Sequence, residues 1–394
     1  MAKKTMSINT RFEYLRSMQT RYEKANRTGK GALLDEMQAV TQLSRKHLIT
    51  QMNRADLRRR ARSRERQREY GDDVAEAMTI IADTLDWICA ERLQPVLGEM
   101  AECLISWGEM EATADVLEKL NRISISTVGR ILSRIRPSPR LPRAYPGRRA
   151  ETSVQQAVPV SIIPWDETEP GHFEVDLVHH GSPDEEGQLI YTMQFVDVLT
   201  GWSERFAIMG HSFETIWHTI KKSQAICPIP VREIHSDNGG EFINQPLISV
   251  FGQELVNTYQ TRGRPGHSND NRMVEQKNSS LVRAYFGYDH LHTLEQLQAM
   301  NEIYEEMRLY YNLFQPVLRQ IERTAVSGPD GITRTRRKQD RAKTPLQRLI
   351  EATPPISRQT RERLLALRDH TNPLQLKRSI HSRLQALRQL VTAS

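Results

Sequence analysis

Residues 136 to 165 hold the run RPSPRLPRAYPGRR and most of AVPVSIIPWDETEP. Pro137, Pro139, Pro142 and Pro146 fix φ and remove backbone donors, so neither a helix nor a central strand propagates through them. The segment reads as a semi-extended basic linker. It separates two different hydrophobic rhythms. Ahead of it apolar residues recur at three- and four-residue steps, and behind it they alternate. One uniform fold cannot satisfy both patterns. The chain is therefore read as multidomain, with helical modules before an α/β core, and its 394 residues allow two to four domains.

Residues 1–65 form the first expected module. Leu33, Leu34, Met37, Val40, Leu43 and Leu48 keep helical spacing, and Ser44 is placed to cap a second helix with Arg45 and Lys46 in its first turn. A short helix, a tight connection and a capped basic helix outline a helix-turn-helix; a plain helical hairpin gives the same pattern. Arginines then crowd from Arg54 to Arg68, with Arg58 and Arg62 among them, as a solvated face or a DNA contact. Residues 66–135 form a second helical module. Its end repeats the outline, with Ser124 or Ser126 as cap, an inner stripe of Ile125, Val128, Ile131 and Leu132, and Thr127, Arg130 and Arg134 facing outward.

Charge and cysteines narrow the class. A net charge of +7 and a pI near 9.3 favour a polyanionic partner, nucleic acid first. A second basic run gathers Arg334, Arg336, Arg337, Lys338, Arg341 and Lys343. Cys89, Cys103 and Cys227 stand far apart, which argues against a disulfide framework or a cysteine zinc site. No apolar stretch reaches membrane-span length and no secretory signal opens the chain, so a cytoplasmic, nucleoid-associated protein without a membrane partner is expected.

Residues 166–290 read as a mixed sheet flanked by helices. HFEVDLVHH, QLIYTMQFVDVLT and GWSERFAIMG alternate as three successive strands. FETIWHTIKKSQAI reads as a helix, VREIHS and NTYQ as short strands, and RMVEQKNSSLVRAYFG as a further helix. Residues 291–394 read as a helical C-terminal region interrupted by a basic linker over about 322 to 345.

Three carboxylates stand at informative places. Asp176 lies in the first strand, Asp237 just beyond a later strand, and Glu275 in the first turns of a helix. Hard divalent ions prefer such oxygen ligands, and phosphodiester chemistry uses a metal pair to activate the attacking oxygen and stabilise the leaving one. Taken singly, an Asp before Asn-Gly-Gly forms a turn and a Glu in a first helical turn complements the dipole. Glu174 shares the strand face of Asp176 and could sit beside the same ions, whereas Asp197, beside Thr200-Gly201, reads as a turn residue.

The stretch from about 171 to 320 resembles the catalytic core of DDE transposases of bacterial insertion sequences and of retroviral integrases, the insertion-sequence branch more closely. FEVDLV, FVDVLTGWSE, HSDNGGEFIN, TRGRPGHSNDNRMVEQKN and YYNLFQP carry the likeness. The resemblance implies a ribonuclease-H-like fold, two Mg²⁺ or Mn²⁺ ions per site, and a catalytic metal triad of Asp176, Asp237 and Glu275. It further implies double-stranded DNA as partner, both element ends and target, and a homodimer or larger synaptic complex. The zinc-binding His-His-Cys-Cys module of viral integrases has no counterpart in this spacing, so no zinc is expected. Asn271 and Arg272 on the Glu275 helix, Arg264 in the preceding loop and Lys277 join Arg45, Lys46, Arg58, Arg62 and Arg130 as candidate DNA contacts. The function expected is DNA-end cleavage and strand transfer. A metal nuclease without strand transfer and an inactive DNA-binding regulator are the alternatives.

Overall fold

A computed structural model describes residues 6–54, 57, 69–136, 161, 163–164, 167–181, 189–237, 239, 242, 247, 249–251, 257–264, 268–327 and 333–393. Arg58, Arg62 and nearly all of the proline-rich linker lie outside the described residues. The chain divides into two compact units, Met1–Glu69 and Tyr70–Ser394.

The first unit is three helices, α1 (Ile8–Lys24), α2 (Arg27–Thr41) and α3 (Arg45–Met52). Ser7, Asn26 and Ser44 each accept a backbone N–H two or three residues into the helix they open. The shared core is Leu15, Met18, Tyr22, Leu34, Met37, Leu48, Met52 and Leu57. Val40, expected in the inner stripe, is 42% exposed instead. The buried stripe of α2 runs through Leu34, Met37 and Thr41, and Val40 stands about 100° around the helix from Thr41.

The second unit opens with α4 (Asp72–Thr84), α5 (Ala90–Leu93), α6 (Leu97–Ser106), α7 (Ala114–Arg122) and α8 (Ile125–Ile135). Ser124, not Ser126, caps α8 by accepting Thr127 N at 3.3 Å. Val128, Ile131 and Leu132 are buried, but Ile125 is 43% exposed because it occupies the first helical turn. These helices do not stand apart from the sheet region. Tyr310 Oη donates to Thr84 O at 2.6 Å, and Gln315 Nε2 donates to Leu85 O at 2.9 Å. One apolar core runs from Val74 through Leu132 to the strands.

The main sheet has five strands, β1 (His172–His180), β2 (Ile190–Asp197), β3 (Ser203–Met209), β4 (Glu233–Ser236) and β5 (Tyr259–Arg262), in the order β3-β2-β1-β4-β5. β1, β2 and β3 are antiparallel neighbours, while β4 and β5 run parallel to β1. Side chains alternate across the sheet. One face, with Phe173, Val175, Met193, Phe195, Phe206 and Ile234, packs on α9 (Phe213–Ile226) through Ile216, Trp217 and Ile220. Each such burial contributes roughly 1.5–3 kcal/mol. The opposite face carries Glu174, Asp176, Val178 and His180 and is covered by two further helices. These are α10 (Arg272–Lys277), continued by a π-helical turn at Asn278–Arg283, and α11 (Leu294–Leu309), continued by a π-helical turn at Tyr310–Phe314.

Beyond the sheet, β6 (Gln320–Ser327) and β7 (Thr333–Gln339) pair as an antiparallel ribbon where sequence reading expects a linker. Three helices follow, α12 (Pro345–Glu351), α13 (Arg358–Asp369) and α14 (Pro373–Ala393). The architecture is thus multidomain and mostly helical around one mixed sheet. Among the described residues, no helix is long and apolar enough to cross a membrane.

Candidate functional site

Strand register brings the first two acids together. In the parallel β1–β4 pair, Glu174 faces His235 and Val175 faces Ser236. The pairing ends there; continued one step, the same register would oppose Asp176 to Asp237, on the sheet face covered by α10. Asp176 is half-buried; its Oδ1 accepts Leu177 N at 2.9 Å and its Oδ2 accepts Asn278 Nδ2 at 2.6 Å. Asp237 Oδ1 accepts Gly239 N at 2.9 Å, the side-chain turn that an Asp in this position forms. Asp237 keeps contact with solvent, yet the protein crowding it raises its carboxyl pKa by desolvation.

Electrostatics ties in the third acid. Glu275 is the fourth residue of α10 and is exposed. Its pKa is raised, first by desolvation and then by the negative charge of Asp237. Asn278, three residues later, lies on a neighbouring part of the helix surface. Through its bond to Asp176 it fixes the Glu275 helix against β1. Register thus leads Asp176 toward Asp237, charge couples Glu275 to Asp237, and Asn278 ties the Glu275 helix to Asp176. Among the described residues no group of three His, Cys, Asp or Glu side chains is drawn closely enough to enclose a metal ion.

Glu174 has a different task from the one its strand face suggests. It is fully buried, and its Oε2 accepts Met273 N at 2.6 Å and Val274 N at 2.9 Å. The carboxylate thus meets the exposed N–H groups and positive end of α10. Burial raises its pKa to about 7, against the lowering by those two N–H groups and by Arg272, while Glu275 adds to the rise. Asp197 secures the β2–β3 turn by accepting Gly171 N, Thr200 N and Thr200 Oγ1 at 2.6–2.8 Å.

A polar floor lies next to Asp176. Gln194 is its register partner on β2, and Arg205 is the partner of Gln194 on β3. Both are buried; both amide atoms of Gln194, and Nε and Nη2 of Arg205, lack a hydrogen-bond partner among the described residues. Arg205 also stacks over Tyr311, 5.5 Å from the ring centroid.

The candidate DNA contacts divide by exposure. Lys46 and Arg130 are exposed, the latter donating to Thr127 Oγ1 at 2.8 Å. Arg45 is exposed but ion-paired with Asp35. Arg264 is held by Asp270 through Nε at 3.0 Å and Nη2 at 2.9 Å. Arg272 is half-buried. Asn271 and Lys277 are only 7% and 8% exposed, so neither presents the surface that a direct DNA contact needs. Two residues at about 100° each turn Lys277 roughly 200° from Glu275, into the interior. Burial, with the charges of Arg205 and Arg92, lowers its pKa to about 7. Sequence reading missed Asn278, Gln194 and Arg205. The three-residue step from Glu275 is the signal for Asn278; the other two follow only from strand pairing.

No family model matches the chain. A chain in the cryoEM structure of a simian T-cell lymphotropic virus intasome in complex with PP2A regulatory subunit B56 gamma is 14% identical, with a TM-score of 0.22. That match covers 29% of this chain and 44% of that chain, less than half its length, and carries no argument. Uncharacterized protein y4rM of Sinorhizobium fredii is 30% identical over 324 residues, which is 82% of this chain and 91% of that protein. Likeness at that level over nearly the full length of both proteins places the chain in one family with y4rM.

Proposed function

We propose that this protein is a metal-dependent transposase that cleaves transposon DNA ends and joins them to target DNA. The reading is carried by the parallel β1–β4 register that leads toward Asp176 and Asp237, together with the influence of the Asp237 charge on Glu275, from three elements remote in sequence. The strand order β3-β2-β1-β4-β5 supports a ribonuclease-H-like core. The capped pairs α2–α3 and α7–α8 support helix-turn-helix recognition of double-stranded DNA.

The donor set suits a hard divalent cation such as Mg²⁺ or Mn²⁺. All three ligands are carboxylate oxygens, and the repulsion between Asp237 and Glu275 is the imbalance that a cation relieves. Bound metal would supply Lewis-acid activation of the attacking oxygen and stabilisation of the leaving one. Asn278 orients Asp176, and Glu174 holds the first turn of the helix that presents Glu275. The reaction is in-line attack of water on a phosphodiester, freeing a 3′-hydroxyl that attacks target DNA in turn. A second DNA end calls for a second copy of the chain in the working complex.

A strand-transfer assay with Mg²⁺ tests this, using duplexes made from the DNA that borders the gene on either side. Joined products are expected from the native chain and none from Asp237→Asn. Equal joining by Asp237→Asn would remove the proposal, and cleavage without joining would reassign the chain as a nuclease.

A further inference from the structure

The β6–β7 ribbon is not accounted for by the carboxylate site. Its two strands, QIERTAVS and TRTRRKQ, hold five basic residues against one acidic residue. The register sets Arg323 directly opposite Arg337. A two-stranded ribbon is marginal on its own. Arg336, Arg337 and Lys338 are all exposed. Lys338 approaches Glu322 at 3.7 Å, whereas Arg336 and Arg337 meet no carboxylate among the described residues.

The root of the ribbon is firmly built. Val317 and Lys343 exchange backbone hydrogen bonds at 2.8 and 3.2 Å. Asp340 N donates to Arg319 O at 2.9 Å, and Asp340 Oδ1 accepts Arg319 N at 2.9 Å. Arg348 on α12 clamps both sides, donating to Asp340 Oδ2 at 2.6 Å and to Val317 O at 2.9 Å. Leu346 and Leu349 bury that helix in the core. A fold that anchors a marginal ribbon so closely holds the exposed Arg336, Arg337 and Lys338 in place.

We infer that the β6–β7 ribbon is a DNA-binding arm that enters the major groove of duplex DNA and grips the phosphates on its flanks. Consecutive strand residues point to opposite faces, so Arg336 and Arg337 charge both faces of the ribbon. A flat anionic surface would engage one face only. A groove about 12 Å wide accepts a two-stranded ribbon and offers phosphates on both sides. The root also lies close to the carboxylates along the sheet. Val317 sits against Gly201 of the β2–β3 turn, where an added Cβ would meet Val317 Cγ2 at 3.3 Å. That turn lies beside Phe173, three residues along β1 from Asp176, or about 10 Å. One turn of duplex spans about 34 Å, so one duplex can touch both.

This inference rests on the DNA reading proposed above, and its test needs no catalysis. Binding of a fluorescent 30-base-pair duplex to the full chain is measured in EDTA across a salt series. Comparison is made with Arg336→Gln/Arg337→Gln and with Arg336→Lys/Arg337→Lys. Each neutralised phosphate contributes about 0.9 to the slope of log affinity against log salt. The Gln pair is expected to lower that slope by about 2 with unchanged melting, and the Lys pair to retain it. An unchanged slope in the Gln pair overturns the inference. So does a Gln pair that loses affinity for anionic vesicles but none for duplex. A chain that fails to join DNA ends yet shows the slope change removes the transposase reading and leaves the arm standing.

Discussion

Replacing Glu174 by Ala removes the carboxylate that accepts two N–H groups at the start of α10, those of Met273 and Val274. Each buried donor left without a partner costs about 1–3 kcal/mol, so the pair costs about 2–6 kcal/mol. The carboxylate has its own cost, because burial raises its pKa from 4.5 to about 7. The folded state holds that proton more tightly than the unfolded chain does. Its stabilising contribution is therefore complete below pH 4.5 and is lost as the pH rises through about 7, a change of up to about 3 kcal/mol. Glu174→Ala should be most costly near pH 5 and less so at pH 8. Glu174→Gln keeps a carbonyl acceptor and has no proton to lose, so its stability relative to the native chain should improve by about the same 3 kcal/mol over that range. Denaturant unfolding in EDTA, followed by tryptophan fluorescence, reports on the right unit, since Trp87, Trp107, Trp165, Trp202 and Trp217 all fall within Tyr70–Ser394. Native-like stability of Glu174→Ala at pH 5 would show that the carboxylate does not hold the helix. A difference between the native chain and Glu174→Gln that ignores pH would refute the titration argument.

Asn278→Ala removes the amide that donates to Asp176 Oδ2, and loss of a hydrogen bond to a charged group, about 1.5–3 kcal/mol, should slow strand joining roughly 10- to 100-fold with duplex affinity unchanged. Equal loss of binding would argue against a positioning role. His180 is buried beside Phe286, with Nε2 2.7 Å from Thr192 Oγ1 and Nδ1 without a partner, and burial lowers its pKa to about 3. Its contribution is present above pH 6.5 and lost as the pH falls toward 3; between pH 6.5 and 5 the native chain should lose about 2 kcal/mol that His180→Gln does not, as read by chemical unfolding. Gly171 has φ +115°, and an added Cβ would lie 2.5 Å from Pro230 O, so Gly171→Ala should lower stability by about 2 kcal/mol or more; an unchanged melting temperature would contradict the placement of that turn.

Much of the core was legible because period-2 alternation survives where one strand face is apolar. HFEVDLVHH, QLIYTMQFVDVLT and GWSERFAIMG contain β1, β2 and β3, and FETIWHTIKKSQAI is α9 residue for residue. The caps at Ser44 and Ser124 were readable from local side-chain chemistry. The β6–β7 ribbon was not, because its strands are dense in arginine and joined through a Gly- and Pro-containing segment that resembles a linker. Nor were the π-helical turns at Asn278–Arg283 and Tyr310–Phe314, since apolar spacing of three and four does not distinguish them from α-helix. Strand order is set by long-range pairing. The acids could thus be picked out singly, while the register that leads Asp176 toward Asp237, the capping role of Glu174 and the inward turn of Lys277 required the assembled sheet.

Isothermal titration of the full chain with Mn²⁺ tests the central claim most directly, because it asks only whether the three carboxylates act as one cation site. The native chain is expected to bind two ions, and Asp237→Asn and Glu275→Gln are each expected to weaken binding at least about tenfold, or 1.4 kcal/mol. Identical titrations for the native chain and both variants would contradict it.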